Sequence, residues 1–174
     1  MFYECEPDIW HDTHFAKRYS WADFYLCCPG PSLKDVKTEQ MRKPGVVIAA
    51  MNTAAPYIQP DIWIAGDPPE CYDRTNWLNG WLKFTRVRNQ YEHTMGIPIS
   101  ECPNVFFYEC SRGKDVVAEI QKVCDHRRVF VWNRNCFWTT LHILFWLGAR
   151  RLHLVGCDMG GNKAYHDGNR NLTP

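Results

Sequence analysis

Seven short apolar runs recur along this 174-residue chain, at positions 24–28, 46–50, 62–65, 82–87, 105–108, 129–132 and 152–156. Each is bounded by turn residues or by a helical stretch, the pattern of strands covered on both faces of a sheet. Alternation of such runs with helical segments implies an α/β fold with a mostly parallel sheet, because parallel neighbours need a crossover between them. Two of the intervening helices are well marked. Lys114 to Cys124 places Val116, Val117, Ile120 and Val123 on one face and Glu119, Gln121 and Lys122 on the other, as a helix lying on a sheet would. Phe137 to Leu147 is apolar nearly all round and stops at Gly148, the residue type that ends helices in a left-handed conformation. Residues 1–20 lack a period and read as an N-terminal extension that packs on the domain. Residues 21–174 show no repeat or low-complexity linker and read as one domain.

Composition narrows the function. A formal charge of +1 argues against nucleic acid as a partner, although Arg86, Arg88, Arg112, Arg127 and Arg128 remain available to a local anionic site. The cysteines number nine, an odd count, with Cys27 and Cys28 adjacent inside an apolar run. That arrangement suits reduced core thiols better than a disulfide framework, and with no signal segment it points to the cytoplasm. No C-x-x-C pair exists, so no metal site is assigned. The apolar stretch 137–147 is too short to cross a bilayer and carries His142, so no membrane span is expected.

Ligands of open parallel sheets collect beyond the carboxyl ends of the strands, so the residues just past each run form a candidate site. After the first run come Gly30, Pro31 and Ser32, where a helical pattern restarts. Gly30 permits close backbone approach, Pro31 lacks a donor, and Ser32 is a competent N-cap with Asp35 in the first turn. A phosphate would then take its donors from Ser32 and Leu33. Asn52 follows the second run and offers a donor and an acceptor to a base or ribose edge. Asp67 and Asp158 follow the third and seventh runs, where they suit ribose or sugar hydroxyls, or Mg²⁺ held through water. Asn135, after the sixth run, joins the ligand-binding set. His166 lies in a Gly-rich loop beyond the last run and is the best general-base candidate among the seven histidines. Each of these polar residues, taken singly, is also what an ordinary cap or turn would use.

Gly-Pro-Ser-Leu after the first strand, the stretch VVIAAMNTAAPYIQPDIWIAGDPP, and LGARRLHLVGCDMGGNKAYHDG occur in that order. Together they resemble a superfamily that comprises the motility-associated-factor glycosyltransferases, the archaeal 6-hydroxymethylpterin diphosphokinases and phage proteins of the same domain type. The bacterial lipooligosaccharide sialyltransferases are more distant members. The resemblance spans roughly residues 24–168 and implies a Rossmann-like domain with helices on both faces of its sheet. It also implies transfer from a nucleotide or nucleotide-sugar donor, chiefly of a glycosyl group, to the hydroxyl of a sugar or small-molecule acceptor. Gly30 and Ser32 match the phosphate turn, Asn52 the asparagine near the nucleotide, and Asp67 a ligand-facing polar position. Asp158 matches the acidic residue of the last strand end and His166 the histidine after it. The diphosphokinase branch implies an alternative, Mg²⁺-dependent diphosphoryl transfer. Two departures are plain: Cys28-Pro29 replaces the usual Gly-Asn or Gly-Ser, and the chain ends at Pro174, where relatives add a helix and a strand. They raise a further alternative, a truncated and catalytically silent nucleotide-binding or assembly module.

Overall fold

The computed structural model describes residues 15–112, 129–132 and 135–158. All seven apolar runs are strands of one parallel sheet. They are β1 (Asp23–Cys27), β2 (Val46–Met51), β3 (Ile62–Ala65), β4 (Leu82–Arg86), β7 (Val105–Arg112), β8 (Val129–Trp132) and β9 (Arg151–Val155). Between β4 and β7 a two-residue hairpin intervenes, β5 (His93–Thr94) and β6 (Ile97–Pro98). Its turn residues Met95 and Gly96 have φ of 50° and 81°, the double left-handed geometry that matches strand twist.

The strand order is β8-β7-β4-β3-β2-β1-β9. From β1 the chain builds outward through β2, β3, β4, β7 and β8, then returns to lay β9 on the free side of β1, with Cys27 beside both Ala50 and Val155. The reversal at β1 is a topological switch point, and the carboxyl ends of β9, β1, β2 and β3 are neighbours there. The fold is thus a mostly parallel, Rossmann-like α/β sheet, with modest helix content among the described residues.

Alternation along the strands divides the core into two faces. Phe24, Leu26, Val47, Ala49, Ile62, Ile64, Phe84, Tyr108 and Phe130 pack under α2 (Cys136–Trp146) through Ile143 and Leu144. Buried His142 accepts the Val131 N–H at 2.9 Å through Nδ1, and the Thr139 hydroxyl donates to the Val131 carbonyl at 2.8 Å, which fixes α2 on β8. The helix ends as Gly148 predicts. At φ 93° its N–H reaches the Phe145 carbonyl while Ala149 N–H reaches Leu144, the paired bonds of a Schellman end. Residues 15–20 dock against this end, with Lys17 N–H on the Trp146 carbonyl at 2.8 Å and Tyr19 N–H on Leu147 at 2.9 Å.

The opposite face, formed by Cys27, Ile48, Ala50, Trp63, Ala65 and Phe107, is covered by short pieces. These include α1 (Ala55–Ile58) and single 3₁₀ turns at Pro31–Asp35, Arg74–Leu78 and Ile99–Glu101. The helix expected after Ser32 is therefore only a 3₁₀ turn, preceded by Gly30 and without a side-chain cap. Leu33 is its one buried residue, and Val36 is already extended. Leu33, Val36 and Met41 keep helical spacing, yet the chain is extended at Val36 and turns again at Thr38–Gln40 before the buried Met41, so that spacing is met by two short turns and not by one helix. The helix expected over 114–124 lies outside the described residues. No described helix is long and apolar enough to cross a membrane. The seven described cysteines are all thiols, with Cys27 and Cys28 buried.

Candidate functional site

Two polar clusters sit at the carboxyl ends of the central strands. The first joins β1 to β9. Asp158, exposed just past β9, accepts through Oδ2 from both the Ser32 N–H at 2.8 Å and the Ser32 hydroxyl at 2.9 Å. The backbone donors of the turn are fully engaged. Gly30 N–H bonds the Gly156 carbonyl at 2.8 Å, Pro31 has none, Ser32 N–H goes to Asp158, and Leu33 N–H returns to the Gly30 carbonyl at 3.0 Å. A Cβ on Gly30 would overlap Asp158 Oδ2 and the Gly156 carbonyl oxygen, so glycine is required here by close approach. The turn that the sequence assigns to a phosphate is filled, in this structure, by the chain's own carboxylate.

The second cluster joins β2, β3 and the start of α2, and Asn52 is its hub. Its backbone is left-handed at φ 49°, a conformation that asparagine tolerates better than most residues. Oδ1 accepts from the Gly66 N–H at 3.1 Å and the Tyr72 hydroxyl at 2.9 Å. Nδ2 donates to Asp67 Oδ2 at 3.3 Å and to the Cys136 sulfur at 2.8 Å. All four positions of the amide are used, so Asn52 organises the site where the sequence expects it to read a ligand. Asp67 is left exposed, its N–H on the Tyr72 oxygen at 2.9 Å and its carbonyl taking the Asn89 amide at 3.2 Å. Gly66 is as tightly placed as Gly30, since a Cβ there would lie 2.7 Å from Cys136 Cβ.

Compared with family models, curated proteins and solved structures, the chain matches none. The site must therefore be read from its chemistry.

Burial pushes the Tyr72 hydroxyl well above its usual range, and neighbouring Asp67 adds to the effect. Burial raises the Cys136 thiol, with Asp67 again adding and the Asn52 amide opposing. Both groups stay protonated at neutral pH. The Cys28 thiol links the clusters: raised by burial, it is hydrogen-bonded to Cys157 and lies within electrostatic reach of Cys136. Arg86, the last residue of β4, lies beside Tyr108 and within reach of Cys136, and both Arg86 and Arg88 act on the Cys110 thiol of β7.

Of the residues assigned from sequence, the structure brings Gly30, Ser32 and Asp158 into direct contact. Asn52 and Asp67 form the second group. Pro31 is exposed at the start of its turn, and Asn135 caps α2 through the Phe137 N–H at 3.1 Å, immediately before Cys136. His166 lies outside the described residues. Sequence reasoning missed Tyr72 and Asn89, and gave Cys136, though it lies just past the sixth run, no role. Cys136 stands at a strand-to-helix junction, a signal that was available, whereas Tyr72 and Asn89 sit in loops with no pattern to mark them.

Proposed function

We propose that this chain is a transferase that binds a nucleotide or nucleotide-sugar donor across the carboxyl edge of its sheet and transfers a glycosyl group to an acceptor hydroxyl. The observation that carries this reading is that the Ser32–Asp158 and Asn52–Asp67 pairs occupy four neighbouring strand ends, those of β9, β1, β2 and β3, at the switch point beside β1. Glycines 30 and 66 let Asp158 and Cys136 pack closely against that edge. Asp158, oriented by two Ser32 donors, has its second oxygen for a sugar or acceptor hydroxyl, and Asp67 offers the same on the other side. His166 is the proposed base that deprotonates the acceptor. In the diphosphoryl-transfer version Asp67 and Asp158 would instead hold Mg²⁺ on the donor phosphates.

A second reading is favoured by one observation: every backbone donor of Gly30 to Leu33 is satisfied internally, as in a turn that no longer serves catalysis. That protein would be a silent nucleotide-binding or assembly module. Thermal shift with CMP, UDP and ATP, with and without Mg²⁺, tests both. A nucleotide at about 100 times its Kd adds roughly 2.7 kcal/mol to the native state, and no response to any of the three refutes nucleotide binding. His166→Ala should then cut kcat by about 10²–10⁴ with nucleotide affinity kept, and unchanged turnover would remove His166 from the mechanism.

A further inference from the structure

We infer that the phosphates of the donor are held by Arg86 and Arg88 at the end of β4, while the Gly-Pro-Ser turn with Asp158 receives hydroxyl groups of the same ligand; the inference rests on the nucleotide-donor reading above. The first argument is donor supply. The turn has no spare N–H between Gly30 and Leu33, and the Ser32 hydroxyl is committed to Asp158. A phosphate placed on Ser32 would share its donors with a carboxylate, and like charges at that separation repel. A hydroxyl donates a proton to Asp158 and meets no such conflict.

The second argument is the position of the cations. Arg86 closes β4 opposite Tyr108, and its charge reaches Cys136, which is itself bonded to Asn52 and packed beside Gly66. Arg88 follows two residues later and is exposed. The turn that carries it, Val87–Asn89, is pinned to the site, because the Asn89 amide donates to the Asp67 carbonyl at 3.2 Å and to the Thr85 hydroxyl at 2.8 Å. Arg86 at the end of β4 and Arg88 on the fixed turn after it therefore stand at the carboxyl edge, next to the strand end that carries Asp67. Guanidinium is the side chain best matched to phosphate oxygens, through its planar fork of donors. Lys34, exposed in the 3₁₀ turn next to Ser32, is the competing cation at the other end of the edge.

The test compares, by calorimetry on the full chain, a nucleoside with its diphosphate: uridine with UDP, cytidine with CDP and adenosine with ADP. The affinity ratio within a pair isolates the phosphate contribution. In the wild type the preferred diphosphate should bind at least tenfold tighter than its nucleoside. Arg88→Gln should lower that ratio about tenfold, and Arg86→Gln should do the same provided its circular dichroism matches the wild type; Arg88, being exposed, carries the test if Arg86→Gln fails to fold. Lys34→Ala should leave the ratio within about twofold. Ser32→Ala should weaken nucleoside and diphosphate alike, also with the ratio kept. If the ratio instead collapses in Ser32→Ala or Lys34→Ala and survives in Arg88→Gln, the phosphates sit on the turn and the inference is overturned while the donor reading stands. If the wild type binds none of the six compounds, the donor reading falls and the inference falls with it.

Discussion

Replacing Asn52 tests the organisation of the site most directly. In Asn52→Ala the Gly66 N–H and the Tyr72 hydroxyl, both buried, lose their acceptor, and alanine must adopt a left-handed φ of 49°. A stranded buried donor costs about 1–3 kcal/mol, and the left-handed backbone about 1 kcal/mol more than it does for asparagine. The expected loss is about 3–7 kcal/mol, a large part of the 5–15 kcal/mol typical of a domain. Asn52→Gly removes the backbone strain and leaves the donors stranded, so it should sit about 1 kcal/mol above the alanine variant. Asn52→Asp keeps an acceptor for Gly66 and Tyr72 but puts a carboxylate oxygen where Nδ2 stands, 3.3 Å from Asp67 Oδ2. Two carboxylates that close cannot both ionise freely, so this variant should be least stable near pH 7 and recover as the pH is lowered and the pair takes up a proton. Because Asp67 is exposed, solvent should limit that penalty to about 1–3 kcal/mol. Urea unfolding followed by fluorescence, analysed at constant m, reads all three. An alanine variant within about 1 kcal/mol of wild type, or a glycine variant equal to wild type, would show that the amide does not hold the cluster together.

Gly156 and Gly45 separate strain from overlap. Both have positive φ, but a Cβ on Gly156 would collide with the Cys28 carbonyl and lie 2.9 Å from Leu33 Cβ, whereas one on Gly45 meets nothing within 4 Å. Gly45→Ala should cost about 1 kcal/mol and Gly156→Ala about 3 kcal/mol or more in the same assay, and equal costs would disprove the close approach of β1 and β9. Lys83, fully buried in β4, donates to the carbonyls of Asn79, Trp81 and Pro103, and burial pushes its ammonium down to about 8. The unfolded chain then holds more protons between pH 8 and about 10.4, so the penalty is full below pH 8 and stability rises relative to Lys83→Met across that window. A pH-independent difference between the two unfolding curves would mean that the three carbonyls keep the ammonium charged throughout. Burial pushes the Cys27 thiol up to about 12, so iodoacetamide at pH 8 should spare it in the folded protein, and peptide mapping that finds it alkylated as fast as in urea would contradict that burial.

The sequence by itself determined the elements whose signal is local. Seven apolar runs became seven strands, the 137–147 stretch became α2 with only a one-residue shift at each end, and Gly148 stopped it, because periodicity and a terminal glycine act within a few residues. The polar residues past each strand were legible for the same reason. Their partners were not. Ser32 meets Asp158 across 126 residues and Asn52 meets Cys136 across 84, contacts that exist only once β9 has returned beside β1 and α2 has packed on β8. That return is a choice of strand order, which the chain's local pattern does not encode. Tertiary packing also turned the expected helix after Ser32 into two short 3₁₀ turns, with the chain extended at Val36 between buried Leu33 and Met41. It engaged every arm of the Asn52 amide with protein groups and set Asp158 on the donors read as a phosphate seat, because buried and strand-end polar groups take whichever partner the folded chain brings closest.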